Sequence, residues 1–124
     1  MNMTVVATLE SLKRYVKHYV SNIIPGYITI LNVFVKKRSG KDLIDLLFDS
    51  PSQLYALLKE YYSLCEESAD TAMRLFLRAI AIALNAVGIE DELLKLAKSG
   101  KDDEFLKIIN SYIRKAEKSS RIHT

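Results

Sequence analysis

Cys65, His18, the pair Arg74 and Arg78, and three runs of carboxylates are the residues of this 124-residue chain whose side chains could do chemistry. A thiol becomes a nucleophile when its pKa falls, as it does beside a helix N-terminus, and Cys65 stands just before a long helical segment. A lone cysteine in a helical protein is more often a small buried core residue, and that is the expected role. His18 is the one histidine away from the C-terminus; it lies among Arg14, Tyr15 and Lys17, where a surface imidazole is the expected occupant and a general base the alternative. Neither His18 nor His123 has a Glu three residues before it, which excludes the Glu-x-x-His ligands of di-iron helical bundles.

The carboxylates cluster at Asp42, Asp45 and Asp49, at Glu90, Asp91 and Glu92, and at Asp102, Asp103 and Glu104. The first trio shares a helix face and has the oxygen donors a hard cation needs. All three clusters also lie in or near first helical turns, where exposed amides favour negative charge. Caps and solvated faces account for them, and neither a metal nor an organic cofactor is expected. The tetrapeptide SGKD occurs at Ser39–Asp42 and again at Ser99–Asp102. A phosphate loop needs an upstream Gly, a following Ser or Thr and a preceding strand, all missing here. The expected role is a turn, with Gly ending one helix in the left-handed conformation and Asp capping the next.

These residues must be positioned by helices. The segment Ser68–Gly88, SADTAMRLFLRAIAIALNAVG, is apolar on most sides, with Asp70, Arg74 and Arg78 in one charged seam. Such a helix belongs at the centre of a fold, and it is expected to span about 64–87, opened by a capping box of Ser63 and Glu66 and closed by Gly88. Like charges four residues apart are locally unfavourable, so Arg74 and Arg78 need partners: Asp70 for Arg74 and a carboxylate of a neighbouring helix for Arg78, or an anion or acidic partner held in a pocket.

From Thr4 the positions Val5, Leu9, Leu12, Val16, Tyr19 and Ile23 recur at spacings of three and four, which predicts a first helix ending near Asn22 before Pro25 and Gly26. Tyr27–Lys37 is rich in β-branched residues, yet Tyr27, Ile28, Leu31, Phe34 and Val35 match a helical period and predict a second helix. Asp42–Phe48 is a short helix, Ser50-Pro51 opens another through a capping box with Gln53, Glu90–Lys98 is a short one, and Asp102 caps the last. Ser119–Thr124 reads as a frayed tail. The expected fold is therefore all-α: a single-domain irregular or orthogonal bundle of six to seven helices, spanning 1–124.

The stretch DSPSQLYALLKEYY followed by EESADTAMRLFLRAI resembles small helical proteins of uncharacterised archaeal families. The likeness covers about a third of the chain and carries no functional residue. A single glutamine, Gln53, points the same way, toward a heat-adapted source.

Function is sought in surfaces. The uncharged part of the central segment, Ala79–Ile89, has 11 residues, too few for the roughly 20 that cross a bilayer, so no membrane insertion is expected. With no leader pattern at the N-terminus and no second cysteine, the expected location is the cytoplasm. The chemistry-bearing constellations of an enzyme are missing, and the leading expectation is association with a second copy or another protein. Val5, Leu9, Leu12, Val16 and Tyr19 form the candidate interface, unless that seam packs on the domain's own core. The alternative is nucleic-acid binding. Residues 1–41 carry a net +6, 42–104 carry −7 and 105–124 carry +4. If the first and last helices lie side by side, Lys13, Arg14, Lys17, Lys107, Arg114, Lys115 and Lys118, together with Arg74 and Arg78, supply a basic patch.

Overall fold

The computed structural model describes the backbone of residues 8–122 and the side chains of residues 8–115. Among these residues the protein is all-helical, an irregular bundle of α1 (Leu9–Ile23), α2 (Tyr27–Ser39), α3 (Leu43–Asp49), α4 (Pro51–Tyr61), α5 (Glu66–Ala83), α6 (Ile89–Lys98) and α7 (Asp102–Ile122). No helix among them is long and apolar enough to cross a membrane.

Helix α5 is the hub. Met73, Phe76, Leu77, Ala79 and Ile80 have no exposure, and α1, α4 and α6 pack around them. Enclosing each large apolar side chain contributes about 1.5–3 kcal/mol, which is why an element apolar on most sides ends up here. The sequence places its ends too wide. Ser63 and Leu64 both adopt positive φ, +58° and +67°, and form a left-handed turn that sends the chain from α4 into α5. Cys65 is therefore the N-cap, and no side chain caps the helix. At the other end Asn85 takes φ +53°, the Ala86 amide reaches back to the Ala81 carbonyl at 2.8 Å, and α5 stops at Ala83. Asn tolerates this left-handed C-terminal position nearly as Gly does. Gly88 instead precedes α6, its amide bonded to Glu90 at 2.7 Å.

The first helix starts at Leu9, where Thr8 and Ser11 form a reciprocal capping box. Its seam packs on the chain's own core: Leu12, Val16 and Val20 are fully buried and Leu9 and Tyr19 partly so. The interface expected on this seam is corrected accordingly, because its central residues are enclosed by α5, α2 and α3; Val5 lies outside the described residues. Helix α2 forms despite its β-branched composition, burying Ile28, Leu31 and Val35. Tertiary burial along one stripe decides its conformation over local propensity.

The two SGKD turns diverge after a shared start. Gly40 and Gly100 take φ +77° and +76°, the left-handed conformation that favours glycine. Asp42 then caps its own helix through the Ile44 amide at 2.9 Å, and Asn32 joins in by donating to Asp42 at 2.9 Å and accepting from the Leu43 amide at 2.8 Å. Asp102, expected to cap α7, is instead its first residue and caps α4 from across the fold. It accepts the Ser52 amide at 2.9 Å and the Ser50 and Ser52 hydroxyls at 3.0 and 2.9 Å. The capping box expected between Ser50 and Gln53 is not formed, because Asp102 takes its place. Helix α7 continues to Ile122, past the start of the expected tail.

Candidate functional site

An open groove of about 670 Å³ lies between the C-terminal turn of α1 and one face of α5. Pro25 cannot extend α1, and the chain turns at once into α2, leaving Ile23 and Ile24 at the bend, 50% and 42% exposed. These two, with Tyr19 and Tyr27, form one wall; Thr71, Arg74, Leu75 and Arg78 form the other. Tyr62 closes one end, its hydroxyl 2.5 Å from that of Tyr27. Burial, and then this hydrogen bond, raise the Tyr27 pKa and keep the phenol neutral. Behind it the Tyr27 ring stacks on Phe76 at 6.5 Å, so the groove is backed by the core.

Arg74 and Arg78 stand at the rim and are answered from α6. Arg74 pairs with Asp91, and Arg78 Nε lies 3.9 Å from Glu90 Oε2. The partner expected for Arg74, Asp70, is engaged instead with α4 and the C-terminal end of α6. There it accepts from the Tyr55 hydroxyl and from Lys98 at 3.0 Å, while Lys98 also pairs with Glu66 at 2.5 Å. Burial pushes the Asp70 carboxyl up, but the Tyr55 and Lys98 hydrogen bonds and the charges of Lys98 and Arg74 outweigh it and hold the pKa below its ordinary value. The result is a clasp joining α4, α5 and α6.

The remaining sequence candidates scatter. Lys13 is engaged by Asp45 at 3.1 Å and by Glu10 at 3.8 Å. Arg14 and Lys17 are exposed on α1, and Arg114 and Lys115 are exposed on α7, where Lys115 sits 4.9 Å from the Tyr112 ring centre. Among the described residues the premise of a merged basic patch is corrected: α1 packs mainly on α5, α2 and α3, whereas α7 packs mainly on α6 and α4. The Lys118 side chain lies outside the described residues, as does His123. The carboxylate trio is divided among Asn32 for Asp42, Lys13 for Asp45 and Lys41 for Asp49, and no three candidate ligands converge on a metal-sized site among the described residues.

Cys65 is exposed, not in the core, because the left-handed turn at Ser63-Leu64 carries it to the surface. The neighbouring Ser68 hydroxyl and amide at the start of α5 hold its thiol pKa below the ordinary value. His18 is exposed, with Asn22 Nδ2 3.1 Å from Nε2. The groove thus sets aromatic and branched apolar surface beside two guanidinium groups. Sequence reasoning found Tyr19, Arg74 and Arg78 but missed Ile23 and Ile24 as surface residues, since Ile23 continues the periodic seam of α1. The signal was Pro25, which ends that helix before Ile23 can reach the core. Comparison with known proteins adds no likeness to this geometry: no family model, curated protein or solved structure matches the chain.

Proposed function

We propose that this protein acts by non-covalent association with a protein surface through the groove between α1 and α5. The observation that carries the reading is the half-exposed Ile23-Ile24 bend facing Leu75 across an open cleft with arginines on its rim. Apolar surface supplies the driving force when it is covered, and rim charges select the partner and its orientation. Arg74 and Arg78 are placed to do so, because both guanidinium groups are exposed and the Arg74–Asp91 pair, exposed on both sides, contributes little to stability. A cytoplasmic setting belongs to the same reading, since an exposed unpaired thiol suits a reducing compartment. Nucleic-acid binding has weaker support, because the basic residues of α1 and α7 sit on helices packed against different neighbours.

Amide NMR spectra of the isotope-labelled protein test this reading in two titrations, one raising its own concentration and one adding an uncharged leucine-rich amphipathic helical peptide. Shift changes should cluster at Tyr19–Tyr27 and Glu67–Arg78 in at least one of them. Changes confined to α7, or none in either titration, would overturn it.

A further inference from the structure

We infer that the occupant of the groove is a second copy of this chain, docked about a two-fold axis that crosses α5 between Thr71 and Arg74. The inference rests on the association reading above and adds the partner's identity and register. Glu67, Thr71, Arg74 and Arg78 are exposed at i, i+4, i+7 and i+11, one stripe along the groove side of α5. At 1.5 Å per residue the acidic and basic ends of that stripe lie about 16 Å apart. In a two-fold interface each residue pair occurs twice, i on one copy against j on the other. Two antiparallel α5 stripes centred between Thr71 and Arg74 set Glu67 against Arg78, and Thr71 against Arg74, in both directions. A parallel pairing would set Glu67 against Glu67 and Arg78 against Arg78. The stripe is complementary to its own reverse.

The charges available inside one copy fit this register. Arg74 is already paired with Asp91. Arg78 reaches Glu90 only through Nε, at 3.9 Å, which leaves the outer nitrogens of its guanidinium fork for another carboxylate. Glu67 makes no ion pair among the described residues, although its backbone carbonyl accepts from Thr71 Oγ1 at 3.0 Å. Each copy therefore carries one under-used acid and one under-used base at opposite ends of a single face. Leu75, Ile23 and Ile24 beside the stripe supply apolar area from both copies, so area comes from the isoleucine bend and orientation from the charges.

Sedimentation velocity over a wide concentration range on the full chain tests the inference, using wild type, E67R, R78E and a one-to-one mixture of the two variants. Wild type should form a reversible dimer. Each single reversal places like charges together twice per dimer and should raise the dissociation constant roughly tenfold or more. The mixture should recover near wild-type affinity, because an E67R copy against an R78E copy restores opposite charges at both contacts. Any local strain from R78E beside Glu90 persists in the mixture, so recovery cannot come from its relief. A wild type that stays monomeric, single variants that dimerise like wild type, or a mixture no tighter than its components would each overturn the inference. If wild type is monomeric while the peptide still shifts Tyr19–Tyr27 and Glu67–Arg78, the second-copy inference fails and the association reading stands.

Discussion

At the scale of single residues, identical tetrapeptides do different work. Asp42 caps its own helix, whereas Asp102 reaches back to the first turn of α4 and satisfies one amide and two hydroxyls there. Nothing local in SGKD distinguishes the two, since the difference lies in which helix start the fold delivers. Asp102→Ala should lower stability by about 1–3 kcal/mol in urea unfolding, because it removes three hydrogen bonds and leaves the Ser52 amide unpaired. Asp103→Ala, next to it and exposed, should stay within about 0.5 kcal/mol. Cys65 offers a second test. Its thiol is held below its ordinary pKa first by the Ser68 hydroxyl, so the pH midpoint for alkylation by iodoacetamide should rise in Ser68→Ala. An unchanged midpoint would remove Ser68 from that role.

At the scale of elements, the helices were legible and their ends less so. Periodicity picks out the longer helices, including α2 against its β-branched composition, because burial along one face is what both the sequence and the fold record, while turn and cap signals mark the short α3 and α6. Ends depend on backbone conformations that several residue types adopt. Gly88 looked like the stop for α5, yet Asn85 takes the left-handed position three residues earlier. Leu64 is the costly member of the preceding turn, with positive φ and 72% of its surface exposed. Leu64→Gly relieves a left-handed conformation that costs an L-residue about 1–2 kcal/mol and loses little burial. It should leave stability equal to wild type or raise it by up to about 1 kcal/mol in chemical denaturation. By contrast Phe76→Ala, at the centre of α5, should cost about 3–5 kcal/mol.

The Tyr55–Asp70–Lys98 clasp ties three of these elements and makes stability pH-dependent in two directions. The folded-state pKa of Asp70 is depressed, so its contribution is present above the ordinary carboxyl range near pH 4 and is lost as pH falls through the lower folded value. Lys98 is raised first by Glu66 and then by Asp70, and burial and the Asp70 hydrogen bond push Tyr55 up to about 12. For both, the stability is present below their ordinary values near 10 and is lost as pH rises beyond them. Thermal unfolding scanned against pH should therefore show a plateau with an acid limb below about pH 4 and an alkaline limb above about pH 10. Asp70→Asn should flatten the acid limb; an unchanged limb would show that the clasp does not contribute to it.

At the scale of the whole molecule, the fold decides between readings that composition leaves open. A basic start, an acidic middle and a basic end allow either a patch for nucleic acid or charges that satisfy one another within the fold or between subunits. Among the described residues much of the opposite charge meets inside the chain, Lys13 with Asp45, Arg38 with Glu60, Lys41 with Asp49 and Arg74 with Asp91. The apolar seam of α1 likewise turns inward. The groove at the Ile23-Ile24 bend, which we propose meets a partner, is one that periodicity alone could not reveal, because it arises where α1 stops beside α5.

The central claim, that the enclosed helix α5 meets a second copy of the chain along its groove-facing stripe, is tested most directly by hydrogen–deuterium exchange at low and high protein concentration. The account predicts that amides of Met73–Ile80 exchange slowest at both concentrations, and that raising the concentration adds protection at the Ile23–Tyr27 bend while leaving α7 unchanged. Protection independent of concentration at that bend, or added on α7 instead, would contradict it.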